Sequence, residues 1–206
     1  MVKIIKKART TKKETSRTSE YDIHPLILNR HSPRALSGED ISDEELMSLF
    51  EAARWAPSSY NSQPWCFIYA KRNTASWEKL FDLLVPFNKA WAKHAAVLLV
   101  IISKKYFEHN QKPSVTHRFD AGAAWENLAL EAEHQGLIAH GMEGFDYGKA
   151  RTILEIPEDY DIEAMVAIGK PGKLEDLPKD LQEKEIISSR KPLKEIIMEG
   201  KFRKDS

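Results

Sequence analysis

The sequence predicts a domain of the α+β class, with helices packed against a central sheet. Its length, 206 residues, suits one domain with a sizeable core, with two small domains as the alternative. Apolar residues recur at helical spacing in segments such as 46–53, whereas runs such as 66–70 and 95–102 are short and continuous, as in strands. Helical and strand patterns thus alternate along most of the chain.

The first 20 residues differ from the rest because they are basic and polar, with few apolar side chains to bury. We expect a flexible arm over residues 1–20, with a targeting peptide or a polyanion-binding tail as alternatives. Residues 21–206 then form a single domain that includes a C-terminal extension. This domain opens with a short helix at 22–29, where Pro25 stands in the first turn.

The segment Arg30-His31-Ser32-Pro33-Arg34 places two guanidinium groups on either side of a hydroxyl. Proline stiffens the segment, and guanidinium groups bind phosphate and other delocalised anions well. A surface loop can also carry two arginines without binding an anion. The residues alone therefore leave both interpretations open.

A second polar segment, residues 56–65, lies between a helical pattern and a strand pattern. Pro57 and Pro64 bracket a stretch rich in serine, asparagine and glutamine, and each disfavours helix in the residue before it. The side-chain donors and acceptors suit a flat ligand with polar edges, but they also suit a turn that satisfies its own backbone.

The remaining elements follow from the same two periodicities. Ser42 and Glu45 have the spacing of a capping box, so we expect a helix from there to about Trp55. We predict further helices at 74–84, 117–135 (ended by Gly136), 147–154 and 194–199, strands at 66–70, 95–102, 137–140 and 164–170, turns at 86–91 and 141–146, and a solvated segment at 174–184. Residues 104–116 are long for a connection, and we expect a lid there.

Charge and cysteine content exclude several functions. Lys+Arg and Asp+Glu number 31 each, so no net charge attracts nucleic acid or an anionic membrane, and we expect neither partner. Cys66 is the single cysteine, which favours a reducing compartment and a cytoplasmic location, and we expect it to be buried. The longest apolar run, 95–102, is far shorter than the about 20 residues of a transmembrane helix.

Four separated elements resemble the nitroreductase family of FMN-dependent oxidoreductases, in the family's order. They are R-x-S-x-R at 30–34, AARWAPSSYNSQPWCFIYA at 52–70, E-G-F-D at 143–146 and R-K-P at 190–192. The resemblance covers about residues 22–198. It implies a nitroreductase-like FMN-binding fold with a mixed central sheet, in an intertwined homodimer that has two FMN sites at its interface.

The resemblance also assigns roles to residues. The first arginine and the serine of 30–34, together with Arg190, would meet the FMN phosphate, and Arg34 would approach the ribityl chain and the N1–O2 edge. Asn88 would bond the pyrimidine edge, unless it only forms a turn. The 141–146 backbone would face N5 and O4, and residues 56–65 would lie against the flavin of the partner subunit. The predicted FMN-binding residues are Arg30, His31, Ser32, Arg34, Pro57, Ser58, Ser59, Asn61, Asn88, Met142, Glu143, Gly144 and Arg190.

The function implied is reduction of nitroaromatics, quinones or related small electrophiles by NADH or NADPH, with ping-pong hydride transfer through FMN. No catalytic side chain is assigned, because the flavin ring itself accepts and returns the hydride. The seven histidines lack compact metal spacing, and we expect no metal site. Two alternatives remain: a specialised member, such as a reductive dehalogenase or a flavin-fragmenting enzyme, and a non-enzymatic flavin carrier or sensor.

Overall fold

A computed structural model describes residues 17–203 of the chain. These residues form two compact units. The larger unit comprises residues 30–186, and the smaller one combines residues 17–29 with residues from 187 onward. The α+β class is confirmed.

The larger unit is built on a four-stranded sheet in the order β1 (Trp65–Lys71), β2 (Val97–Lys104), β4 (Tyr160–Gly169) and β3 (Ile138–Met142). All three pairings among these strands are antiparallel. A parallel pairing, which would make the sheet mixed, is not among them. Strand β2 is buried over almost its whole length, as its continuous apolar run predicts.

Strand β2 contributes side chains to two hydrophobic cores, one on each face of the sheet. Leu98, Val100 and Ile102 belong to one core, whereas the alternate residues from Val97 to Ile101 belong to the other. This division follows from the two-residue period of a strand, which points successive side chains to opposite faces.

Two helices pack on one face and the shorter helices supply the other core. On the first face lie α2 (Asp43–Arg54) and the longest helix, α5 (His117–Gln135). The other core receives residues from α3 (Trp77–Phe81), α4 (Pro86–Ala92), α6 (Tyr147–Ile153) and α7 (Lys179–Gln182). None of the helices described here is both long enough and apolar enough to cross a bilayer.

Four predictions about local structure were wrong. Residues 86–91 form helix α4 and not a turn, because Pro86 stands at the start of the helix, where its missing N–H costs little. Cys66 is exposed because β1 is an edge strand. In the segment predicted to be solvated, Leu177 and Leu181 are buried in the core. The helix expected at 194–199 is a single 3-10 turn, Leu193–Glu195.

The smaller unit contains α1 (Pro25–Asn29) and the C-terminal extension. The Arg17 guanidinium donates to the carbonyl oxygens of Leu28 (3.2 Å) and Ser188 (3.1 Å). The Glu20 carboxylate accepts from the backbone N–H of Leu193 at 2.8 Å. The end of the predicted basic arm is therefore bonded to the C-terminal extension, and the rest of that arm, residues 1–16, lies outside the described residues.

Candidate functional site

The segment 30–34, which we call the strap, lies outside the helices and strands of the larger unit. Arg30 donates from Nη1 to the Ser32 hydroxyl at 3.2 Å, and its Nε lies 3.8 Å from a carboxylate oxygen of Glu126 on α5. The Arg30 side chain is 17% exposed. A partly buried guanidinium next to a hydroxyl is a donor set that suits a phosphate group.

His140 on β3 connects this strap to helix α4. Its Nδ1–H donates to the carbonyl oxygen of Pro33 at 3.1 Å, and its ring centre lies 4.5 Å from that of Trp91. Burial lowers the pKa of His140, and the Arg34 charge lowers it further. The Pro33 carbonyl and the Glu185 carboxylate act in the opposite direction without reversing the shift.

Helix α4 in turn contacts the turn after β3. The side-chain amide of Asn88, which is buried, donates to the Gly144 carbonyl at 3.0 Å, and the backbone N–H of Val85 donates to the same oxygen at 3.2 Å. A Cβ atom at position 144 would lie 2.8 Å from the Asn88 amide nitrogen and 3.0 Å from the Val85 side chain. Only glycine therefore leaves this close approach undisturbed.

The neighbours of Gly144 have different environments. The Met142 side chain is buried in the core, whereas Glu143 is exposed. Asp146 caps helix α6, because its carboxylate accepts from the backbone N–H of Lys149 at 2.8 Å. The predicted role of Met142 in binding FMN stays a prediction.

Arg34 is held by a carboxylate from the segment after α7. Glu185 accepts from the backbone N–H groups of Arg34 and Ala35 and, at 3.2 Å, from the Arg34 guanidinium. The guanidinium carbon lies 5.9 Å from the ring centre of Phe87, and Nε is buried without a hydrogen-bond partner. The sequence contains no local signal for Glu185, because 151 residues separate it from Arg34.

The segment around Pro57–Asn61 is an ordered turn with an unusual backbone. Tyr60, Asn61 and Gln63 have positive φ angles of 53°, 53° and 49°. The Ser58 hydroxyl accepts from the N–H of Gln63 at 3.0 Å. For a ring as large as that of tyrosine such a backbone is uncommon and costs conformational energy, which is frequent at functional sites.

The turn is anchored to the start of helix α5. The buried carboxylate of Asp120 accepts from the backbone N–H of Ser59 at 3.1 Å and from the Thr116 hydroxyl at 3.4 Å. Asp120 therefore has a structural role, because it ties this turn to the start of α5. Pro57 and Asn61 are exposed.

A cluster of three aromatic rings, which the sequence analysis missed, joins this turn to the predicted lid. The Tyr60 ring lies 5.6 Å from Phe107, edge to face, and 6.1 Å from His109, and the last two rings are 5.5 Å apart. Tyr60 is 84% exposed. The lid itself is folded back on itself, because Tyr106 and Pro113 form an antiparallel bridge.

One group of potential metal ligands lies elsewhere in the larger unit. Atoms of His117, Asp161 and Glu163 lie within 4.8 Å of one another. Arg118 already binds the Asp161 carboxylate, with Nε at 3.1 Å, and its Nε is 3.9 Å from Glu163. Burial alone would raise the pKa of Asp161, but the Arg118 hydrogen bond and charge outweigh it and lower that pKa. We interpret the group as an ion-pair network.

Arg190 belongs to the smaller unit. Its guanidinium is exposed and donates to the Ser188 hydroxyl and the Ser189 carbonyl, each at 3.1 Å. It lines a cavity of about 770 Å³ between residues 17–28 and 187–196 of that unit. The predicted role of Arg190 at the FMN phosphate stays a prediction.

The structure thus connects one subset of the predicted residues. Segment 30–34, helix α4 with Asn88 and the turn at Gly144 form a continuous series of contacts. The turn that contains Ser58, Ser59 and Asn61 is anchored at the beginning of α5. We refer to the first subset as the basic half-site and to the second as the turn half-site.

Comparison with known proteins identifies relatives along most of the chain. The sequence profile of the nitroreductase family matches residues 27–170. A solved structure described as an oxidoreductase containing FMN is 43% identical, with a TM-score of 0.88, and the match covers 94% of this chain and 99% of that one.

Two curated relatives point to nicotinamide-dependent chemistry. An NADH dehydrogenase from Thermus thermophilus is 28% identical over 74% of this chain and 88% of its own length. An oxygen-insensitive NADPH nitroreductase from Helicobacter pylori is 35% identical over 39% of this chain and 38% of its own length.

Proposed function

Because the chain belongs to the nitroreductase family, we propose that it is an FMN-dependent oxidoreductase that uses NADH or NADPH to reduce nitroaromatics, quinones or related electrophiles. The observation that carries this proposal is the basic half-site, in which three segments far apart in sequence are linked by direct contacts. The FMN-containing relative, 43% identical over nearly the whole chain, supports the choice of cofactor.

The residues present fit FMN. Its phosphate carries roughly two negative charges, and Arg30 with the Ser32 hydroxyl would hold it by charge-assisted hydrogen bonds. At Gly144 a side chain would collide with Asn88, so glycine lets the turn after β3 lie directly against α4, beside the proposed cofactor site. Asn88 already orients this turn through the Gly144 carbonyl and would hold the cofactor's polar edge beside it.

When bound, FMN supplies a ring that accepts a hydride from the nicotinamide and returns it to the electrophile. The side chains have only to bind the cofactor, orient the substrates and exclude water. No side chain is therefore assigned as an acid, base or nucleophile. Since we assign no separate site to the nicotinamide, donor and acceptor would occupy the same space in turn. We therefore expect ping-pong kinetics.

We further propose that the site is completed in an intertwined homodimer. The turn half-site is anchored at α5, on the face of the sheet where α2 and α5 pack, and the basic half-site draws on α4, β3 and the turn after it. Arg30 of the basic half-site also reaches α5, at Glu126, so this separation is partial. The proposed arrangement follows the family resemblance, in which residues 56–65 of one subunit lie against the flavin of the other. That Arg190 meets the FMN phosphate, as the family resemblance implies, is also part of this proposal.

A flat aromatic acceptor is favoured over a zwitterionic one. The exposed rings of Tyr60 and His109, with the partly buried ring of Phe107, adjoin the turn half-site and offer aromatic contacts. Two charged residues of the lid, Lys104 and Glu108, already pair with each other at 3.0 Å, so they are not poised for a charged ligand. A cytoplasmic location, expected from the single cysteine, remains part of this proposal.

The proposal is tested by mixing the purified, FMN-loaded protein with NADH or NADPH under anaerobic conditions. The flavin absorbance should bleach with at least one donor and return when a quinone or nitroaromatic is added. Flavin that binds but is not reduced by either donor would indicate the carrier or sensor alternative. Protein that stays colourless with added FMN, or that remains monomeric in sedimentation, would refute the proposed site.

A further inference from the structure

Glu185 makes an unusually complete set of contacts with the basic half-site. One carboxylate oxygen accepts from the backbone N–H of Arg34 and, at 3.3 Å, from that of Ala35. The other accepts from the Arg34 guanidinium at 3.2 Å. With a side chain that is 12% exposed, Glu185 holds both the backbone and the charge of Arg34.

Arg34 is fixed from several sides. Its Nη1 also donates to the Lys184 carbonyl at 3.4 Å, and its guanidinium lies against Phe87, the residue before Asn88. The Lys184 ammonium approaches the same ring, 5.1 Å from its centre. Arg34 therefore stands beside the residues proposed to hold the flavin edge, and its side chain is 24% exposed.

The carboxylate changes the electrostatics of this position. A negative charge in contact with a guanidinium cancels much of the field that the guanidinium exerts on a third group. The screening by water is reduced here, because both side chains are largely buried. Glu185 thus partly offsets the positive charge that Arg34 would present to the proposed cofactor.

Holding the backbone does not by itself require a charge. The N–H groups of Arg34 and Ala35 need an acceptor, and the amide oxygen of a glutamine would serve. A carboxylate also has an effect that a glutamine amide lacks: its negative charge disfavours a second negative charge nearby. Reduction of a flavin places additional negative charge on its ring.

We propose that Glu185 is a positioning residue that fixes Arg34 and, by offsetting its charge, makes the site bind reduced FMN less tightly relative to oxidised FMN. This inference rests on the proposed function, since it takes FMN as the cofactor. Glu185 would therefore have two separate effects. Its charge would lower the redox potential of the bound flavin, and its carboxylate oxygen would fix the backbone of residues 34–35.

The test compares Glu185→Gln with Glu183→Gln, which removes the same charge from an exposed position two residues away. The midpoint potential of the bound flavin is measured by anaerobic reductive titration against a reference dye, and FMN affinity by fluorescence. Glu185→Gln should favour reduced over oxidised flavin about tenfold, which raises the potential by about 30 mV for a two-electron couple. Glu183→Gln should match the wild type.

A third variant separates position from charge. Glu185→Ala leaves the two backbone N–H groups without their acceptor, so oxidised FMN should bind about tenfold or more weakly, whereas Glu185→Gln should retain it. An unchanged potential in Glu185→Gln would overturn the inference, as would a loss of FMN as large as that of Glu185→Ala. Wild-type protein that fails to bind FMN would refute the proposed function instead, so the two failures are distinguishable.

Discussion

Asn88 donates its side-chain amide to the carbonyl oxygen of Gly144 at 3.0 Å, although 56 residues separate them in the sequence. The contact ties helix α4 to the turn after β3, and the backbone N–H of Val85 reinforces it at the same oxygen. This pair joins two of the segments from which the basic half-site is built, and its geometry depends on the missing side chain at position 144.

Gly144→Ala should destabilise the fold and weaken FMN binding. The new Cβ would lie 2.8 Å from the Asn88 amide nitrogen. Either helix α4 or the turn after β3 must therefore move. Forcing a methyl group into a packed site costs about 1–3 kcal/mol of the free energy of unfolding, measurable by chemical denaturation. Gly148→Ala is the control, because there the added Cβ meets Asp146 at an ordinary 3.6 Å and alanine favours helix α6. Equal stabilities for the two variants would contradict the prediction.

Arg30→Ala should release the cofactor. The Arg30 guanidinium bonds Ser32 and is largely buried, and a charge-assisted contact to a phosphate is worth about 1.5–3 kcal/mol of binding free energy. The dissociation constant of FMN, measured by fluorescence, should rise accordingly. Arg30→Lys keeps the positive charge but lacks the planar guanidinium. Its dissociation constant for FMN should lie between those of the wild type and Arg30→Ala. Lys79→Ala, which removes an exposed cation from α3, should bind FMN as the wild type does, and a similar loss there would refute the assignment.

Asp120→Ala should destabilise the protein through the turn half-site. The buried carboxylate accepts from Ser59 and Thr116, and a hydrogen bond to a charged group contributes about 1.5–3 kcal/mol to stability. Denaturant unfolding should detect that loss. Asp180→Ala removes an exposed carboxylate from α7 and should change stability by less than about 0.5 kcal/mol. If both variants lose the same amount, the anchoring role of Asp120 is wrong.

Local features of this fold could be predicted from the sequence. The Ser42–Glu45 capping box forms as expected at the start of α2, because its partners are three residues apart. Helix α5 spans His117–Gln135 as predicted, and Gly136 ends it with a φ of 75°, a backbone conformation that glycine adopts without strain. The family prediction is confirmed for the same reason, since its motifs are short and contiguous.

Long-range features could not be predicted in this way. Exposure of Cys66 depends on β1 lying at the edge of the sheet, which strand order decides and strand pattern does not. The contact of Glu185 with Arg34 joins residues 151 positions apart, and glutamate in a charged surface segment has no distinguishing local signal. The edge-to-face contact of Tyr60 with Phe107 likewise depends on how residues 104–116 fold back.

His140→Asn should remove part of the acid sensitivity of the protein. Burial lowers the pKa of His140 below its unfolded value of about 6.5. As the pH falls below about 6.5, the unfolded chain therefore takes up a proton that the folded chain does not, and the free energy of unfolding decreases by at most about 1.4 kcal/mol per pH unit. This contribution is present above that pH and is lost as the pH falls toward the lowered pKa.

Asparagine can keep the hydrogen bond to the Pro33 carbonyl but cannot take up the proton. Denaturant unfolding of both proteins between about pH 7.5 and about pH 5.5 should therefore give a shallower pH dependence for His140→Asn. The pKa of His94 is also lowered, first by burial, but that residue is present in both proteins and cancels in the comparison. His134→Asn, at an exposed position on α5, should follow the wild-type curve. If His140→Asn follows it too, His140 does not couple the strap at 30–34 to pH.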